Sequence, residues 1–123
     1  MIDAWLRAFL LTQAVELGVY ASLVGRARPR RERLAIAFGA SAITHPLVWF
    51  VLPEAVRASG LATGDWHTDW RIAVGLAEAF ALTAEAVWLR LFGVRLSRAL
   101  AASLLANGAS FTIGLFLYRS VGW

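Results

Sequence analysis

The sequence predicts an all-α polytopic membrane protein, with four transmembrane helices packed as a compact bundle in a single domain over residues 1–123. Three observations carry that expectation. The chain is 59% apolar and 16% charged, with a mean hydropathy of +0.63, which is too apolar for a soluble globule of this size. Four stretches approach the length of about 20 apolar residues that crosses a hydrocarbon core of about 30 Å. The 12 basic residues are all arginine and collect largely in the connections between those stretches, as topology rather than nucleic-acid binding requires.

Helix 1 is expected over 4–25. It opens on Asp3 instead of a basic run, carries Glu16 in its apolar stretch and is followed by arginines, so it reads as a retained anchor and not a signal peptide. The linker "RARPRRER" (26–33) holds five arginines. Helix 2 is expected over 34–52, with a kink near His45 because Pro46 cannot donate to the Ala42 carbonyl. An outer loop over 53–71 leads to helix 3 (72–92); "RLFGVRLSR" (90–98) then turns the chain into helix 4 (99–118).

The two linkers carry eight of the twelve arginines, which assigns them to the cytoplasmic side of a bacterial inner membrane and leaves both termini outside. Trp5, Trp66, Trp70, Tyr118 and Trp123 then form an aromatic belt at the outer interface, where Arg7 and Arg119 snorkel. The all-arginine, alanine-rich composition points to a GC-rich bacterial genome. The chain has no cysteine, which excludes disulfides, thiolate metal sites and thiol catalysis.

Polar residues inside the expected spans form a pattern. Counted from the arginine ends at about 1.5 Å per residue, Glu85 and Ser41 lie about 10 Å deep, Glu16 and Asn107 about 13 Å, His45 about 17 Å and Glu78 about 21 Å. Within each helix the polar residues share one face: Thr12 and Glu16; Ser41, Thr44 and His45; Glu78 and Glu85; Ser103, Asn107 and Ser110. Turning those faces inward hides all of them from lipid. The plain alternative is that the hydroxyls and Asn107 are interhelical glue, worth about 0.6 kcal/mol each, and that His45 is a satisfied core hydrogen bonder.

Carboxyls are harder to explain as glue, because an acidic residue at mid-membrane costs about 2.5–3.5 kcal/mol on insertion scales. No arginine falls in the middle of any span, so three carboxyls face one imidazole. Charge balance then requires retained protons, a bound cation or a positive partner subunit.

The outer segment "GDWHTDW" (64–70) places Asp65, His67 and Asp69 at alternate positions, a metal-binding spacing if extended. It also places Trp66 and Trp70 at i,i+4, the spacing of a short amphipathic helix lying on the membrane, and that reading is preferred. No Glu-x-x-His pair, HExxH, Gly-rich phosphate loop or Ser/His/Asp arrangement appears, so no metal or cofactor is assigned.

A weak internal repeat is visible. An offset of 66 lays Ser41 on Asn107 and Thr44 on Ser110, and an offset of 69 lays Glu16 on Glu85. Both hairpins run in the same sense, so the expected relation is a parallel repeat about an axis normal to the membrane.

Glu16 in helix 1, "THPLVW" in helix 2, "AEAFALTAEA" in helix 3 and "NGASFTIGL" in helix 4 together resemble a group of small, uncharacterised bacterial four-helix membrane proteins. Their helix 2 pattern is Asn-x-x-Thr-(Asn/His)-Pro and their helix 4 pattern Asn-x-x-Ser-(Phe/Tyr)-x-x-Gly. This chain has Ser41 where the first pattern has Asn. The resemblance implies that the polar slab is a site and supplies no reaction.

The residues expected to bind are Glu16, His45, Glu78, Glu85, Asn107, Thr12, Ser41, Thr44 and Ser110. The function expected is binding or translocation of a proton, cation or small polar solute. An accessory subunit of a larger membrane complex is the alternative, and an intramembrane enzyme with Glu as base and His45 as acid a lesser one. Partners expected are the lipid bilayer and either a second copy, as a homo-dimer, or another membrane protein, with no nucleic acid.

Overall fold

A computed structural model of the chain describes residues 2–121; Trp123, assigned above to the aromatic belt, lies outside the described residues. Every regular element described is helical: α1 (Ile2–Leu23), α2 (Arg30–Pro46), a π-helical turn (Leu47–Val51), α3 (Leu52–Ala58), α4 (Trp66–Leu91) and α5 (Leu96–Val121). Three helical lengths, Arg30–Ala58, Trp66–Leu91 and Leu96–Ser120, are long and apolar enough to cross a membrane. α1 has 22 residues, but Arg7, Gln13 and Glu16 dilute its apolar character.

The expected helix boundaries shift most around the outer loop. Helix 2 does not stop at residue 52, because the chain passes Pro46 by widening into the π turn, where the Leu52 amide donates to the Leu47 carbonyl. Pro53 then falls in the first turn of α3, where a missing N–H costs nothing, and the helix runs on to Ala58. At the other side of the loop α4 begins six residues before position 72, since Asp65 caps it by accepting from the Thr68 amide at 2.9 Å. The segment expected as a loop over 53–71 thus contracts to 59–65. Between α4 and α5, Gly93 adopts φ +91°, a left-handed conformation that suits glycine at a tight helix-to-helix turn.

The four long helices form a ring in which α1 and α4 each pack between α2 and α5. Contacts along every interface run antiparallel. Phe9 meets His45 and Glu16 meets Ser41 across α1 and α2, while Leu11 lies below Gly114 and Glu16 meets Ser110 across α1 and α5.

The end carrying the two arginine linkers is tightly packed. Tyr20, Val24, Ile36, Leu89 and Val94 fill it, and Ala37, Ala40, Ala86, Ala99, Ala102 and Ala106 let the backbones approach. Gly39 makes the closest approach: a Cβ there would lie 2.8 Å from the Trp88 ring, whose Nε1 donates to the Ile36 carbonyl at 2.9 Å. Arg33 folds back from α2 to donate to the Ala21 carbonyl at 2.6 and 3.0 Å, satisfying an acceptor near the C-terminal end of α1. The exterior inverts that of a soluble protein. Leu91, Leu105 and Phe116 are 74%, 70% and 66% exposed, whereas Glu16 and Glu85 are 0% and 1% exposed, as expected for a bundle whose surroundings are apolar.

Candidate functional site: a buried carboxyl pair below an open cavity

Glu85 projects from α4 into the middle of the ring and is met by the other three helices. Its Oε2 accepts from the Tyr20 hydroxyl of α1 at 2.6 Å and from Asn107 Nδ2 of α5 at 2.7 Å. Its Oε1 accepts from Thr44 Oγ1 of α2 at 2.8 Å. Ser103 Oγ stands 3.5 Å from Oε2 but has a better acceptor in the Leu82 carbonyl at 3.1 Å. Glu16, on α1, accepts from Ser41 Oγ at 2.5 Å and from Ser110 Oγ at 3.0 Å. Every donor to the two carboxyls is neutral. The ion pairs among the described residues, Arg28–Glu32 and Glu54–Arg57, lie elsewhere.

The donors obey a swap. Ser41 bonds the carboxyl of its own hairpin, as Asn107 does on the other side, while Thr44 and Ser110 each reach across to the carboxyl of the opposite hairpin. These are the positions that the offsets of 66 and 69 superimpose. Tyr20 breaks the match, since its counterpart by the same offset is Leu89, a packed core residue without a polar atom.

Beyond the carboxyls the ring opens. A cavity of about 770 Å³ occupies the end away from the arginine linkers, with Thr44, Glu85, Asn107 and Ser110 at its inner limit, Thr12, His45, Trp49 and Glu78 on its walls, and Arg7, Trp66, Trp70 and Arg119 towards its mouth. A second cavity of about 610 Å³ lies between the α2–α3 length and α4. The two share Val48, Trp49, Trp66, Trp70, Ala77, Glu78 and Phe111. The widened π turn, which carries Val48 and Trp49, lies at that shared boundary.

Of the expected residues, Glu16, Ser41, Thr44, Glu85, Asn107 and Ser110 join the network, and Thr12 and Glu78 line the cavity above it. Glu78 is half-buried and accepts no hydrogen bond from any described residue. His45 lines the cavity without bonding either carboxyl. Its ring sits among Phe9, Trp49 and Trp5 at centroid distances of 5.4, 6.1 and 6.2 Å, and its buried Nδ1 has no partner among the described residues. Glu16, Glu85 and Asn107 therefore converge as expected, and the imidazole stands apart in an aromatic cluster.

Two network residues went unassigned as site residues. Tyr20 lies four residues after Glu16, on the same helical face, so its spacing could have found it. Ser103 was placed on the inward face with Asn107 but not given a role. Gln13, 8% exposed, donates through Nε2 to the Phe38 carbonyl at 3.4 Å and leaves its Oε1 unpartnered.

The outer segment makes no metal site. Asp65 is spent as the cap of α4, and Asp69 accepts from the Thr63 amide at 2.6 Å, the Thr63 hydroxyl at 2.8 Å and the Gly64 amide at 3.2 Å. The Thr68 bonds hold the Asp65 carboxyl below the ordinary aspartate range. Trp66 and Trp70 belong to the first turns of α4 and not to a separate surface helix. Among the described residues no three His, Asp or Glu side chains are placed to share a metal ion. No protein-family model, curated protein or solved structure matches this chain.

Proposed function

We propose that this chain is a four-span protein of the bacterial inner membrane, with its termini and cavity mouth outside, whose buried Glu/Asn site binds a proton, a cation or a small polar solute and takes part in its translocation. The observation that carries the proposal is Glu85 at the inner limit of an open cavity, held by three neutral donors with no arginine beside it. Donors of that kind fix the carboxyl's orientation without cancelling its charge, so a mobile positive species is left to do so. Mutual repulsion with Glu16 adds to that demand, because both carboxyls are buried, where charges are weakly screened.

Topology supports the same reading. The dry core at the arginine end closes the bundle there, so the site communicates with one side of the membrane in this conformation. Passage to the other side then needs a rearrangement, and the swapped hydroxyl bonds supply two matched hairpins between which it can occur. α1 is counted as the fourth span because its polar residues Gln13, Glu16 and Tyr20 are buried inside the ring and not turned to lipid.

The test is reconstitution. Wild-type protein in proteoliposomes loaded with a pH-sensitive dye should carry proton flux, or release protons in nanodiscs when sodium, potassium or tetramethylammonium is added. Both responses should fall at least tenfold in Glu85→Gln and Glu16→Gln. Wild-type protein that neither conducts nor releases protons, but recovers a stoichiometric membrane partner that the Gln variants lose, would replace this reading with that of an accessory subunit.

A further inference from the structure

We infer that the cavity is a receptor for an organic ammonium ion carrying an apolar group, with Glu78 as its counter-ion and Trp49, Trp66 and Trp70 as its aromatic walls. The inference rests on the binding reading above and names the class of ligand. Its starting point is Glu78, a half-buried carboxyl on the wall of both cavities that accepts no hydrogen bond among the described residues. Glu85 is engaged on both oxygens by Tyr20, Asn107 and Thr44, which leaves Glu78 as the carboxyl free to meet a ligand.

What surrounds Glu78 selects the kind of cation. A bare metal ion needs several oxygen ligands, and among the described residues Glu78 belongs to no group of three His, Asp or Glu side chains that could supply them. Three tryptophans line the same two cavities instead, and a tryptophan face attracts an alkylammonium whose weak hydration lets it leave water. Trp49 stacks on the His45 ring at 6.1 Å and 21°.

The second cavity supplies the place for the apolar group. Leu52, Pro53, Val56, Ala73 and Val74 line it, and it meets the first cavity at Glu78. A headgroup at Glu78 can therefore extend its chain between α3 and α4. Arg57 is paired with Glu54 at 2.7 Å, and Arg7 and Arg119, which line the first cavity towards its mouth, are exposed.

Calorimetry on wild-type protein in nanodiscs, with empty nanodiscs as reference, tests it with choline and its uncharged carbon isostere 3,3-dimethylbutan-1-ol. Choline should bind at least tenfold more tightly than the isostere, and that preference should disappear in Glu78→Gln while Glu32→Gln, at the arginine-linker end away from both cavities, retains it. Trp49→Leu should weaken choline at least fivefold and provides a second reading should Glu78→Gln not fold. Lengthening the probe from tetramethylammonium to hexyltrimethylammonium should tighten binding by up to about fourfold per buried methylene. Equal affinity for choline and its isostere, or a choline preference that survives in Glu78→Gln, overturns the inference. If that happens while the proton responses of Glu16 and Glu85 persist, the ligand class is wrong and the binding reading stands; loss of both removes the reading itself.

Discussion

Thr44 donates to Glu85 at 2.8 Å and Ser110 donates to Glu16 at 3.0 Å, so each hairpin hands a hydroxyl to the other hairpin's carboxyl. Removing either hydroxyl leaves a buried carboxyl oxygen short of a donor. Thr44→Val and Ser110→Ala should each lower stability by about 1–3 kcal/mol, the cost of an unsatisfied buried polar group. Costs near 0.6 kcal/mol, measured by denaturant unfolding in mild detergent, would mark both as ordinary interhelical glue.

Gly39 gives a prediction about packing alone. A methyl group placed 2.8 Å from the Trp88 ring must push the indole off its bond to the Ile36 carbonyl or drive α2 away from α4. Gly39→Ala should cost about 1–3 kcal/mol by overpacking, more than the gain from removing a helical glycine. Gly18→Ala, where a Cβ meets nothing within 4 Å, should be neutral or stabilising. Equal melting temperatures for the two variants would show that the α2–α4 contact is looser than described.

The carboxyl that caps α4 predicts a pH response. Its bonds to Thr68 depress the folded-state pKa of Asp65, which lies outside the spans. A depressed carboxyl contributes order that is present above the unfolded pKa of about 3.9 and is lost as pH falls through the lower folded value. NMR titration of the Asp65 carboxyl should therefore give a midpoint below about 3.9, with the Thr68 amide resonance moving in step. Asp65→Asn should abolish that step at Thr68. A midpoint at or above the free-aspartate value would mean that the cap does not persist in solution.

Much of the site could be read from residue spacing, and the exceptions have physical causes. Ser41 and Thr44, and Asn107 and Ser110, stand three residues apart, Glu16 follows Thr12 by four and Glu85 follows Glu78 by seven, so any bundle that hides those faces brings them together. His45 shares that spacing with Ser41 and Thr44 yet stands apart, because the aromatic rings of Trp5, Phe9 and Trp49 enclose it. Tyr20 carries no signal of its own in the sequence beyond its position four residues from Glu16, which marks it as inward. The loop boundaries failed at Pro53 and Asp65, where residues typical of turns serve as helix starters. Glu78 shares a helical face with Glu85 and lines the same cavity, but an open cavity is a property of how helices diverge, and no single helix face records it.

The central claim is that Glu85 is reached from the outer side through the cavity, and cysteine labelling tests it most directly because the chain has no cysteine of its own. Ala81 lines the cavity one helical turn from Glu85 and is 8% exposed, against 1% for Ala37 in the packed core. His67→Cys and Arg30→Cys serve as outer and inner references. On oriented vesicles, a membrane-impermeant thiol reagent should modify Ala81→Cys and His67→Cys from outside, modify Arg30→Cys only after permeabilisation, and leave Ala37→Cys unmodified. Modification of Ala81→Cys only from the arginine-linker side, or none from either side while His67→Cys reacts, would contradict the account.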